Sequence, residues 1–93
     1  MRYYVVGKPE GGHIYNIPFV YMWIGGDSDK YIVLELNPNK AIGFDDEYGA
    51  IVEAEKILEI MSSQNKTIGR GVYILTTTED NMVLDLEEFT KDY

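Results

Sequence analysis

Apolar and polar positions along the chain follow two different periods, and the change between them divides it into elements. Arg2 to Val6 is a short run of Tyr and Val, residues that suit a pleated surface. Gly7-Lys8-Pro9-Glu10-Gly11-Gly12 ends it with turn chemistry. Ile14 to Ile17 resumes an extended path, and Pro18, which has no amide hydrogen, belongs at a strand start or on an edge. Phe19 to Ile24 is apolar on both faces, Gly25-Gly26-Asp27-Ser28-Asp29 is a turn, and Lys30 to Leu36 is the next strand, stopped by Asn37-Pro38-Asn39. Two such runs across a glycine-rich turn predict a β-hairpin.

The period lengthens after Phe44. Tyr48, Ile51, Ala54, Leu58 and Met61 recur at three and four residues, with Ile57 beside them, and predict a helix over about 45–63. Asp45 or Asp46 can cap it, and Asp45, Asp46 and Glu47 all suit the positive end of the helix dipole. Glu53, Lys56 and Glu59 are expected on the wet face, and Ser62-Ser63-Gln64-Asn65 frays the end. Val72 to Thr78 reads as a strand and Glu79-Asp80-Asn81 as a turn. Met82 to Leu86 reads as a final edge strand with one charged face, followed by a short irregular or helical acidic tail, because Met82, Leu86, Phe89 and Tyr93 also fit helical spacing. The order β-β-β-α-β-β places the chain in the α+β class: one domain over residues 1–93, an antiparallel sheet of about four to five strands and one helix across a face. At 93 residues there is material for a single two-layer core.

Aromatic usage complicates that two-layer picture. Eight tyrosines and one tryptophan are many for this length. Phe19, Tyr21 and Trp23 alternate with Val20, Met22 and Ile24, and a single helix covers only one of the two sets. The other set is expected to meet a second chain or to form a patch for a partner, which makes Tyr21 and Trp23 candidate contact residues.

Charge sharpens the expectation. The net charge is −8, from 16 acidic and 8 basic residues. Residues 1–44 balance four acids with four bases, residues 45–78 carry −3, and the acidic segment 79–93 carries −5. An anionic surface repels nucleic acid and anionic membrane alike, so direct binding to either is disfavoured. Glu79, Asp80, Asp85, Glu87, Glu88 and Asp92 are the candidate partner-binding residues, and the partner they suit is a basic protein surface. A solubilising acidic tail would use the same residues.

Catalytic chemistry has little to stand on. There is no cysteine and a single histidine, His13, which lies in the glycine-rich loop with Glu10 near it in sequence. A general base there is conceivable, but no Gly-x-Ser-x-Gly elbow accompanies it. The Lys8 loop has the wrong order for a phosphate-binding loop, since Pro9 follows the lysine. Asp27-Ser28-Asp29 lacks the closing glutamate of a calcium loop, its place being taken by Pro38. No catalytic residue, metal site or cofactor is expected. Met1-Arg2 leads into an apolar run too short for a secretory core, and Ile17 to Ile24 is too short to span a membrane, so a cytoplasmic location is expected.

A short, cysteine-free, acidic, Tyr-rich α+β chain of this kind resembles, over its whole length, the small inhibitors encoded by phages and mobile elements: anti-restriction proteins, anti-CRISPR proteins and glycosylase inhibitors. That resemblance implies a non-enzymatic DNA mimic, acting in a host cytoplasm, whose carboxylates meet a nucleic-acid-binding enzyme where it expects phosphates. It carries over no residue roles. Two alternatives remain beside it: a structural or regulatory homo-oligomer that buries its spare sheet face, and a small ligand-binding protein or enzyme built on His13 and the glycine-rich loops.

Overall fold

In a computed structural model, residues 1–7, 19–63 and 71–89 are described. They form a five-stranded antiparallel sheet and one helix, the α+β arrangement expected from the sequence. The strands are β1 (Arg2–Gly7), β2 (Val20–Gly25), β3 (Tyr31–Glu35), β4 (Val72–Thr77) and β5 (Val83–Phe89), and α1 (Glu47–Ser63) lies between β3 and β4 in sequence. Their order across the sheet is β3-β2-β1-β4-β5. β1 is therefore central, with Val5 opposite Met22 on one side and Ile74 on the other. Ile14 to Ile17 and the loop around His13 lie outside the described residues.

The hairpin forms as its turn chemistry requires. Gly26 has φ +88°, and a Cβ there would meet the Asp29 carbonyl oxygen, so only glycine closes this turn between β2 and β3. Asp46 is the helix cap: its Oδ1 accepts the Gly49 amide at 2.9 Å. Asp45 instead faces Arg2 at 4.0 Å.

The helix faces the sheet with a stripe that keeps Ala54, Ile57 and Met61 of the expected one but takes in Ala50 and leaves Tyr48, Ile51 and Leu58 aside. Its buried residues are Ala50, Ala54, Ile57 and Met61, while Ile51 and Leu58 sit half-buried on the flanks and Tyr48 is 74% exposed. Two alanines at the contact let the helix axis approach Val5 and Met22 closely, and a tyrosine there would hold it off. Val72 and Ile74 complete this first core, with Tyr3, Ile24, Ile32, Phe44 and Phe89 around it. Glu53 is not on a wet face: its Oε2 accepts the Ile24 amide at 3.0 Å, tying α1 to β2.

The last strand also runs further than expected. β5 continues through Glu87, Glu88 and Phe89, pairing Phe89 with Val72, and neither an irregular nor a helical tail follows Leu86 within the described residues. A bulge absorbs Leu84, since Thr76 pairs with Asp85 and Thr77 with Val83. Long-range pairing with β4 overrides the helical spacing.

The sheet has a second core on the side away from α1. Tyr4, Val6, Tyr21 and Leu75 are buried there, with Phe19, Trp23, Ala41, Tyr73 and Leu86 packed around them. The chain passes from one core to the other through a split in the sheet. Ala41 packs on the second core and Gly43 presses on the Tyr4 ring, then Phe44 bridges Tyr3 by two backbone hydrogen bonds of 2.9 and 2.7 Å and puts its ring into the first core. Phe44 thus occupies the flank of β1 at Tyr3, and β2 there turns its Ile24 amide to Glu53. No helix among the described residues is long and apolar enough to cross a membrane.

Candidate functional site

The candidate contact residues divide into two groups that the fold keeps apart. Tyr21 and Trp23 stand on β2, on the face opposite α1, and β1 and β4 separate them from β5. Strands spaced by about 4.8 Å put roughly 14 Å between β2 and β5. The aromatic and acidic residues do not make one patch.

Tyr21 also departs from the expectation of a partner surface, being 8% exposed. Its ring meets Tyr4 edge to face, centroids 5.2 Å apart and planes at 75°, a favoured geometry for aromatic pairs. The spare aromatic set is largely absorbed by a second core in the same chain, and Trp23 stays half-buried at its margin. Arg2 closes the pair from above, its Nε donating to the Tyr4 hydroxyl at 3.2 Å. Burial, and then the neighbouring Tyr4, push the Tyr21 phenol above its ordinary 10.0. The folded chain holds that proton at pH values where the unfolded chain has lost it. This contribution to stability is full below about pH 10 and is lost as pH rises through the folded pKa. Tyr21→Phe is expected to flatten the alkaline fall of the melting temperature above pH 10, and an unchanged slope would place the sensitive group elsewhere.

The acidic group is placed by β4 and β5. Asp85, Glu87 and Glu88 are exposed on β5, one edge of the sheet. Ladder pairing sets Asp85 and Glu87 on the α1 side, opposite Thr76 and Ile74, and Glu88 on the other side, opposite Tyr73. Glu79 and Asp80 are exposed in the β4–β5 turn, where Asn81 has φ 65° and Glu79 faces the Met1 amine at 3.9 Å. Asp92 lies outside the described residues.

Between α1 and β5 a cleft of about 250 Å³ adds residues the sequence reading had assigned otherwise. Ile51, Ile74 and Phe89 wall it, and Glu47 joins Glu87 at its rim, while the Glu88 side chain leaves the strand on the other face. Glu47 looked like a dipole-stabilising residue and nothing more, and only the tertiary placement of the helix start beside β5 reveals the convergence. A second cleft of about 470 Å³ lies on the opposite flank of α1, with Lys30, Glu53, Lys56 and Glu59 over Ile24 and Ile60. Among the described residues no three His, Asp or Glu side chains are placed to hold a metal ion. His13 and Glu10 lie outside the described residues. No family model, curated protein or solved structure matches the chain.

Proposed function

We propose that the chain is a non-enzymatic binding module that docks the β5 edge and its adjoining cleft on a basic surface of another protein. The observation that carries this reading is the pairing of chemistries in the 250 Å³ cleft: an apolar wall of Ile51, Ile74 and Phe89 beside two carboxylates, Glu47 and Glu87, with Glu88 on the opposite face of the same strand. A lysine or arginine has the matching form, an alkyl stem ending in a cation. Asp85 extends the negative field along the strand and would accelerate encounter. In its narrower form the partner is a nucleic-acid-binding enzyme whose phosphate-binding surface takes these carboxylates, as the likeness to phage-type inhibitors suggests.

The test is capture by the immobilised chain from a lysate of its source cells at low and at high salt, with a nucleic-acid binding assay beside it. A basic protein retained at low salt and released at high salt is expected, with no uptake of free nucleic acid. Retention that ignores salt, or no retained protein at low salt, would overturn the reading, because exposed charges lose their reach as the Debye length shrinks.

A further inference from the structure

The two edges of the sheet are chemically unlike. β5 carries three exposed carboxylates, so two copies meeting there would oppose like charges. β3 carries one, Glu35, and its Oε2 is turned back on its own chain, accepting the Leu36 and Asn37 amides at 3.0 and 3.1 Å. What β3 and the residue that follows it expose is apolar: Tyr31 is 56% exposed, Leu34 52% and, just past the strand, Leu36 51%.

The hydrogen-bonding phase of that edge follows from one contact. The Ile24 amide points away from β3, since it donates to Glu53. The pair Ile24 and Ile32 is therefore a non-hydrogen-bonded pair of the β2–β3 ladder, as is Met22 with Leu34 two residues on. Ile32 and Leu34 then direct their own N–H and C=O groups outward. Among the described residues those groups have no backbone partner.

We propose that β3 is a self-association seam: two copies pair β3 with β3, antiparallel, about a twofold axis at Val33. In that register Ile32 of each copy exchanges hydrogen bonds with Leu34 of the other, so all four outward residues find partners at once. Val33 meets Val33, Tyr31 meets Glu35, and no like charges stand directly opposite. An isologous interface must be complementary to itself. The 470 Å³ cleft beside β3 meets that condition, holding two lysines, Lys30 and Lys56, with two glutamates, Glu53 and Glu59, over an apolar floor. The occupant is a second copy because register, charge and apolar content all match without invoking a foreign sequence. The proposal is independent of what binds β5.

Light scattering across a concentration series, with amide hydrogen exchange on the same samples, tests it. The mass is expected to rise towards twice 10.6 kDa with concentration. The Ile32 and Leu34 amides should gain protection in step, while the Val33 amide, bonded to β2 within the chain, should not change. Leu34→Lys sets an ammonium against Ile32 on both sides of the axis and should weaken the dimer about tenfold or more. Leu34→Pro removes an outward amide without touching the β2–β3 bonds and should also leave monomer. Circular dichroism checks that both variants stay folded. A single-chain mass at every concentration, including one accompanied by capture of some other extended segment, overturns the proposal. So does a dimer whose mass and exchange pattern survive both substitutions.

Discussion

Ile57→Asp is expected to leave the chain without a cooperative melting transition. Ile57 is 0% exposed, one turn from Ala54 and Met61, and faces the first core built on Val5 and Met22. A carboxylate there has no cation to pair with: the cluster around Ile57 is apolar, and Lys56 beside it in the helix is exposed. Truncation to alanine alone should cost about 2–5 kcal/mol by cavity formation. An uncompensated buried polar or charged group adds several kcal/mol more, against a total stability of about 5–14 kcal/mol for a domain of this size. Leu58→Asp is the informative control. Leu58 is half-buried on the flank, where its side chain can turn to water, so this variant should melt at a lower temperature but still cooperatively. Thermal melts followed by circular dichroism decide the matter. A folded Ile57→Asp beside an unfolded Leu58→Asp would mean the helix is rotated towards the stripe its sequence spacing suggested.

The second large effect is on association. Replacing Asp85, Glu87 and Glu88 with lysine reverses three exposed charges on one strand, a change of six units. The association rate with a basic partner should fall by about 10- to 1,000-fold at low salt, the range over which steering fields act. Most of that loss should vanish at high salt, while the melting temperature stays close to that of the parent. Surface plasmon resonance at two salt concentrations separates these terms. Rates that match the parent at low salt would show that the carboxylates serve solubility alone.

How far the sequence foretold these features depends on whether a signal was local. The hairpin was legible because Gly25 to Asp29 carries its own turn chemistry, and the helix because Asp46 and the three-and-four spacing are contiguous. The face of the helix was not, because Tyr48, Ile51 and Leu58 fit the same spacing, and only close approach to the sheet favours Ala50 and Ala54. Strand order was half legible: β1 and β4 are apolar on both sides, as central strands should be, but the split at Phe44 that joins the two cores leaves no periodic trace. At the site, acidity showed in composition, yet the meeting of Glu47 with Glu87 and the burial of Tyr21 are both products of long-range pairing.

The central place of β1 bears on how the chain is made. Synthesis delivers β1 first, and β2 can pair with it after some twenty residues, but its other neighbour, β4, comes only after the helix. Until then Tyr3, Tyr4, Val5 and Val6 offer both faces of a half-paired apolar strand to whatever is near, while the local hairpin and helix form within microseconds. Closing the contact between Val5 and Ile74 is the slow, non-local step, because β2, β3 and α1 lie between the two strands in sequence. Pairing with β4 is therefore the step that closes both faces of β1.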